Sequence, residues 1–250
     1  AAPACVAGRA KRGGATEMAR LPRLAVDRAL HLVVQQGHNR QPVFVDDADR
    51  QTYLAALREV LRAHGVAMHG YALLDTEVWL VLQPAAAPAL SRAMQALGRR
   101  FVAAVNRRHG RRGTLWDGRF RATVFDAPTQ LVDVLVHVET KPVDAGLAAS
   151  AADWPWASAR HHLGLARETA LDDPPQLWAL GNTPFDRDTA WRRRLDAGLP
   201  AARRLAIDDA ALKGWALGPP SFVDAVAAQA GRPVQRRPRG RPRKPGGSAP

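Results

Sequence analysis

The sequence is poor in cysteine, in tyrosine and in long apolar runs, and each shortage narrows what the protein can be. Its one cysteine, Cys5, cannot form a disulfide within the chain, which favours a reducing cytoplasm. No apolar run approaches the roughly 18 residues of a membrane helix, so we expect no membrane association through a span. Only Tyr53 and Tyr71 are available for chemistry that needs a tyrosine.

Acidic residues are almost missing from two segments that hold most of the positive charge. The formal net charge is +13. Residues 99–121 carry eight arginines against Asp117, and residues 231–245 carry six arginines and Lys244 without an acid. Each segment is therefore +7, and the rest of the chain is −1. Such concentrated charge favours nucleic acid as a partner and a nucleoid-associated place in the cytoplasm, with solubility as the other interpretation.

Hydrophobic periodicity predicts an α+β fold in which helices pack on an antiparallel sheet. The predicted order is β-α-β-β-α-β-α, with strands at 30–36, 66–74 and 78–82, a further strand or extended segment at 114–125, and helices at about 46–63, 90–105 and 129–141. Pro142 is expected to stop the last of these helices.

The predicted organisation has four parts. Residues 1–17 are interpreted as an upstream extension or a disordered arm, 18–149 as the main domain, 150–230 as a helical extension and 231–250 as a basic, disordered tail.

Six short motifs add a resemblance to a known family. They are ARLPR at 19–23, GHNRQPVF at 37–44, LGRR at 97–100, GTLWDGRF at 113–120, PVDAGL at 142–147 and WPWAS at 154–158. In this order and spacing, over about residues 18–244, the chain resembles the REP-associated tyrosine transposases, within the HUH single-strand, IS200-like transposases. The resemblance implies a transposase-like α/β sandwich. It also implies DNA transposition, in which hairpin-bearing single-stranded DNA is cleaved and transferred through a phosphotyrosine with Mg²⁺ or Mn²⁺.

The residues that would carry this chemistry are replaced. Two histidines at i and i+2 of a strand would share one metal ion, and a tyrosine five residues before the Pro-Val motif would attack the phosphate. The aligned positions hold Glu77, Trp79 and His137. Glutamate can bind a hard cation through oxygen, but tryptophan offers only an N–H donor. We therefore expect no cofactor, no intact catalytic residue and no tyrosine-dependent cleavage.

A rescue chemistry stays open at this point. His137 could attack phosphate, although a histidine on an apolar helix is more often packed or hydrogen-bonded. His31 and His69 lie on neighbouring predicted strands and could bind metal, although surface or core histidines are commoner. The alternative to a binding protein is thus an active metal-dependent transposase or nuclease with unusual residues.

Arginines near the second long helix form the first predicted DNA-binding surface. Arginine grips phosphates bidentately and stacks on bases. A neighbouring tryptophan suits base stacking, with core packing as the equal alternative for that ring. The set is Arg99, Arg100, Arg107, Arg108, Arg111, Arg112, Trp116, Arg119 and Arg121.

The tail supplies the second predicted surface, an AT-hook-like motif. Pro242 keeps the segment extended and Gly240 lets the backbone lie deep in a groove. Arg239 and Arg241 could then reach a narrow A·T minor groove. Nonspecific attraction to phosphates is the alternative.

The leading hypothesis is a DNA-binding protein that recognises hairpin or repeat DNA without cleaving it. A third interpretation is a regulator that pairs with an active relative, since transposases of this type often act as dimers. A homodimer of this chain is possible for the same reason.

Overall fold

A four-stranded antiparallel sheet in the order β2-β3-β1-β4 organises the computed structural model, which describes residues 23–236. The strands are β1 (Leu30–Gln36), β2 (Val66–Leu73), β3 (Glu77–Pro84) and β4 (Arg121–Phe125). The helices are α1 (Asp47–His64), α2 (Ala87–Arg108), α3 (Ala127–Asp144), α4 (Ala159–His162), α5 (Pro175–Trp178), α6 (Pro184–Ala197), α7 (Ala201–Lys213) and α8 (Pro220–Gln229). The predicted α+β class and element order are confirmed. None of these described helices is long and apolar enough to cross a membrane.

Alternation along β3 divides the core into two layers, because successive side chains of a strand point to opposite faces. Val78, Leu80 and Leu82 pack with α1 and α2 on one face of the sheet. Trp79 and Val81 pack with α3 on the other face.

Two long helices cover the first face. The Asp46 side chain caps α1 by accepting the N–H of Asp49, and Gly65 ends it in the left-handed conformation at φ 64°. Tyr53 of α1 meets Phe101 of α2 edge to face, with ring centroids 4.9 Å apart. This aromatic contact joins α1 to α2.

Helix α3 covers the second face and approaches β2 closely. Asp126 caps it by accepting the N–H of Thr129. At Gly70 of β2, a Cβ atom would lie 2.5 Å from Cδ2 of Leu135, so a larger residue would push α3 away from the sheet. The position of α3 matters because it carries residue 137.

The residues after α3 protect both edges of the sheet. On the β2 edge, the N–H of Leu73 donates to the carbonyl of Trp156, and Ala72 pairs with Ala157. On the β4 edge, the N–H of Leu217 donates to the carbonyl of Val124. Unpaired strand edges promote aggregation, so these segments complete the sheet instead of merely following it.

Two boundaries differ from the prediction. Residues 114–120 form turns instead of strand, because the Asp117–Gly118 step places Gly118 at φ 66° and only β4 continues as a ladder. Pro142 lies inside α3, which ends two residues later at Asp144. Proline stands in the last turn, where its missing N–H removes one helix hydrogen bond, and the N–H of Ala145 still donates to the carbonyl of Lys141 to end the helix.

The first residues of the predicted tail pack on the body. Val234 is buried with Val124 and Val223, and its carbonyl accepts the N–H of Ala216. The tail expected from residue 231 thus begins as part of the core, because Val234 fills an apolar cluster. The AT-hook-like residues Arg239, Gly240, Arg241 and Pro242 lie outside the described residues.

Candidate functional site

The three substituted positions of the sequence analysis meet in space. Glu77 and Trp79 lie two residues apart on β3, and the indole Nε1 of Trp79 donates to Oε1 of Glu77 over 2.7 Å. Trp79 faces α3, where its ring meets the imidazole of His137 at 83°, with centroids 5.6 Å apart. The fold therefore brings a strand pair and a helix residue together, as the resemblance implies, but with different side chains.

Further side chains close this group, which we call the substituted cluster: Gln36, Glu77, Trp79, His137, Lys141 and Asp208. Gln36 Nε2 donates to Oε2 of Glu77 over 3.0 Å, so both carboxylate oxygens of Glu77 accept a hydrogen bond. His137 Nε2 and Lys141 Nζ lie 2.9 and 2.7 Å from Oδ1 of Asp208. The ammonium of Lys141 also lies 4.2 Å from the Trp79 ring centroid, a cation–π contact.

The side chain of His137 is closed off from solvent and held by Asp208. The residue is fully buried, and its Nδ1 has no hydrogen-bond partner among the described residues. Burial lowers the pKa of His137, against the opposite effect of Asp208. Since Nε2 is held by Asp208 and no face is open, a phosphate cannot reach the ring.

The substituted cluster does not fit the divalent metal of the HUH chemistry. Trp79 has no lone pair to offer, and the oxygens of Glu77 are already engaged. The ammonium of Lys141 adds a positive charge beside the same ring. These residues therefore hold one another instead of a cation.

Neither tyrosine can replace the missing nucleophile. Tyr53 is 0% and Tyr71 4% exposed, and burial raises the pKa of both phenols. A buried phenol with a raised pKa is a poor nucleophile and is out of reach of DNA.

His31 and His69 are core histidines with both ring nitrogens engaged. His31 Nδ1 lies 2.8 Å from the carbonyl of Ala29, and the N–H of Val26 donates to Nε2. His69 contacts the carbonyl of Asp172 at 2.7 Å and Oε1 of Gln83 at 3.3 Å. Neither histidine belongs to the substituted cluster. Both are core histidines, the alternative to metal binding that the sequence analysis gave.

The predicted arginine surface divides between ion pairs and open positions. Arg100 pairs with Glu59, and Arg108 lies 2.6 Å from carboxylate oxygens of both Asp46 and Asp49. These two arginines tie α2 to α1. The remaining helix-end arginines form no ion pair within residues 23–236: Arg99, Arg107, Arg111 and Arg112.

A basic groove lies beside α2 and β4. It consists of two adjoining clefts of about 450 and 250 Å³ that share Arg23, Arg119 and Phe120. Arg92 lines the first cleft, and Arg121, Lys213 and Arg232 line the second. The sequence analysis missed Arg92 and Lys213, because they come from separate segments. Arg23 appeared there only within the ARLPR motif, and Arg232 only within the basic segment 231–245.

Trp116 does not offer a stacking surface. It is 5% exposed and packs against Tyr53 and Phe101, with ring centroids 6.2 and 6.1 Å away. The base-stacking interpretation is therefore corrected in favour of core packing, because the loop before β4 folds the indole inward. The same loop leaves Arg119 exposed at the groove.

Comparison with known proteins gives a likeness in fold. No family model matches the chain, and no curated protein matches it. One similar solved structure is a REP-associated tyrosine transposase bound to a REP hairpin, with a TM-score of 0.52 and 12% identity over 63% of this chain and 99% of that one. Another is a candidate transposase from Deinococcus radiodurans, with a TM-score of 0.33 and 18% identity over 48% of this chain and 91% of that one. The first likeness shows that the chain has the transposase fold.

Proposed function

We propose that the chain binds hairpin or single-stranded DNA and does not cleave it. The observation that carries this proposal is the substituted cluster, in which side chains of the chain itself fill the place of both metal and nucleophile. The burial of Tyr53 and Tyr71 supports it, since no tyrosine is left to form a phosphotyrosine link. The REP hairpin bound by the solved neighbour supports hairpin DNA as the ligand class.

The basic groove is the proposed interface. Arg119 is exposed and forms no ion pair within the described part of the chain. Arg121 donates from Nη1 to the carbonyl of Leu212, which fixes its guanidinium beside the groove. A cleft lined by the fixed guanidinium of Arg121 and the exposed one of Arg119 suits a phosphate backbone. Binding to phosphates depends on repeated positive charge more than on base-specific contacts.

The open arginines of the predicted surface would extend this interface. Arg99, Arg107, Arg111 and Arg112 have no acid to neutralise them among the described residues, in contrast to Arg100 and Arg108. The tail motif at 239–242 would add minor-groove contacts to duplex DNA next to the hairpin. Both additions are part of the proposal.

A cleavage assay tests the loss of chemistry. End-labelled hairpin DNA with a single-stranded flank is incubated with the natural protein and Mg²⁺ or Mn²⁺, then resolved on a denaturing gel. We expect intact DNA and no covalent protein–DNA band. A metal-dependent cleaved strand would refute the proposal, and its loss in His137→Ala would identify an unusual nucleophile. The variant with Glu77→His, Trp79→His and His137→Tyr is run beside it. Cleavage of the hairpin by this variant would show that DNA still reaches the substituted cluster.

A binding assay tests the groove. If about six phosphates are neutralised on a single strand, log K falls with log salt at a slope near −4. Replacing Arg119 with alanine should make the slope shallower by roughly 0.7, the loss of one phosphate contact. Arg192→Ala, an exposed arginine of α6, is the matched control and should leave the slope unchanged. Salt-independent binding would contradict an interface made of phosphate contacts.

A further inference from the structure

A second group of ionisable side chains lies away from the substituted cluster, where α4 meets the segment before α5. Nε2 of His161 lies 3.1 Å from Oδ1 of Asp173, and Nε2 of His162 lies 3.8 Å from the same oxygen. The ligand atoms of the three residues all lie within 4.8 Å of one another. We propose that His161, His162 and Asp173 bind a zinc-class divalent transition-metal ion.

The spacing suits such an ion. With bonds of about 2.05 Å to nitrogen or oxygen, neighbouring ligands of a tetrahedral zinc lie roughly 3.3 Å apart. The two separations from Asp173 lie on either side of this value. Two imidazoles and one carboxylate are also a ligand set typical of zinc sites that keep an open position.

His162 carries the strongest independent indication. Its side chain is 2% exposed, yet its Nε2 has no hydrogen-bond partner among the described residues. Its Nδ1 lies 2.5 Å from Oε1 of Glu139, which is fully buried. A carboxylate behind Nδ1 keeps the proton there and leaves the lone pair of Nε2 for a metal, the arrangement found behind metal-bound histidines.

The partners of Glu139 keep this orientation fixed. The same Oε1 accepts from Oγ of Ser158 over 2.6 Å, and Oε2 accepts from Nε1 of Trp191 over 2.9 Å. Glu139 therefore cannot swing away from His162 without leaving these donors unpaired. The ligand is positioned before a metal arrives, which reduces the cost of binding.

His161 must adjust to join the site. Its Nδ1 now accepts the N–H of Glu168 over 3.1 Å, so Nε2 carries the ring proton and donates it to Asp173. Binding through Nε2 requires the ring proton to move from Nε2 to Nδ1, and a protonated Nδ1 can no longer accept the N–H of Glu168, so that contact breaks. His162 and Asp173 are thus the primary ligands, and His161 completes the set.

The surroundings favour a cation with open coordination positions. The three residues line a cavity of about 370 Å³ together with Asp188 and Arg187. Arg187 is directed to Trp178, with its guanidinium carbon 4.7 Å from the ring centroid. Asp173 and Asp188 line the cavity, and Glu139 lies behind His162. These three acids outnumber the one arginine, Arg187, which favours a bound cation.

The test uses the full chain, purified without a histidine tag and treated with chelator. Zn²⁺ is titrated by calorimetry, and Co²⁺ is added separately because its visible absorption reports tetrahedral nitrogen and oxygen ligands. We expect one equivalent to bind, and a hundredfold excess of Zn²⁺ over Kd should raise Tm by roughly 5–10 °C.

Variants distinguish this site from adventitious binding. Asp173→Asn, at a partly exposed position that should not disturb folding, should weaken Zn²⁺ binding at least about tenfold, and His162→Gln should weaken it further. Glu139→Gln, which removes the carboxylate behind His162 and also alters its bonds to Ser158 and Trp191, should weaken Zn²⁺ binding by the folded variant roughly 10- to 100-fold. His38→Gln, an exposed histidine elsewhere, is the control and should change nothing. No stoichiometric binding by the natural protein, or equal binding by Asp173→Asn, would overturn the proposal.

Discussion

Replacing Glu139 with glutamine should destabilise the protein far more than the loss of one atom's charge suggests. The buried carboxylate accepts from Ser158 Oγ and His162 Nδ1 on one oxygen and from Trp191 Nε1 on the other. These donors lie on segments that follow α3 in sequence. Glu139 therefore fastens the later helices to the sheet-packing helix through three hydrogen bonds.

The magnitude follows from what an amide cannot do. If the amide oxygen of Glu139→Gln faces Ser158 and His162, its NH₂ group faces the N–H of Trp191, donor against donor. One charge-assisted hydrogen bond, about 1.5–3 kcal/mol, is lost and a buried donor is left unpaired. We expect a total cost of roughly 2–4 kcal/mol in the free energy of unfolding. For a chain of this size that lowers Tm by about 5–15 °C.

A double-mutant cycle checks the reasoning by urea denaturation. Trp191→Phe removes the opposing N–H while keeping an aromatic ring in the pocket. In that background, Glu139→Gln should cost less by about 1–2 kcal/mol, because nothing then opposes the NH₂ group. Additive costs, or a Glu139→Gln variant within about 0.5 kcal/mol of the natural protein, would refute the account.

Three further outcomes are expected. Burial lowers the pKa of His31 from its usual 6.5 to about 4, so between these pH values the unfolded chain binds a proton at His31 and the folded chain does not. The free energy of unfolding should therefore fall by up to about 3 kcal/mol as pH drops from 6.5 to 4. His31→Gln should flatten this part of a curve of stability against pH. Trp79→Ala should lower the free energy of unfolding, measured by denaturant titration, by about 3–5 kcal/mol because the ring is almost fully buried. Trp178→Ala, at 57% exposure, should lower it by under about 1 kcal/mol. Equal losses for the two variants would contradict the packing described. Asp208→Ala leaves buried His137 without its partner and should cost about 1–3 kcal/mol, and a neutral result would show that the contact adds nothing to stability.

Most of the fold could be predicted from local pattern. The cap at Asp46 and the glycine at 65 mark the ends of α1, and the apolar run 78–82 between the polar turn 75–77 and Pro84 identifies β3. The errors came where tertiary contacts override local preference. Residues 114–120 looked extended but turn to bury Trp116, and Pro142 stands in the last turn of α3 instead of ending the helix before it.

The site was only partly predictable. The resemblance pointed to positions 77, 79 and 137, and the fold brings them together. Their closure depends on Gln36, Lys141 and Asp208, and Asp208 lies 71 residues after His137 in a segment that shows no sign of this role in sequence. The groove as a whole was missed for the same reason, because its basic side chains come from segments that are far apart in sequence and meet only in the folded chain.

The contacts of the substituted cluster bear on its stability. In a partly buried place, an unpaired carboxylate or ammonium costs several kcal/mol, so charged side chains gathered there need partners. Here the carboxylate of Glu77 meets two donors, and Asp208 meets His137 and Lys141. Among the fully buried side-chain polar atoms of these six residues, only Nδ1 of His137 lacks a partner within the described part of the chain. Matching of this kind makes the cluster a structural element that holds α7 to α3 and β3, and it is why we propose a chain that keeps the fold while binding DNA without cleaving it.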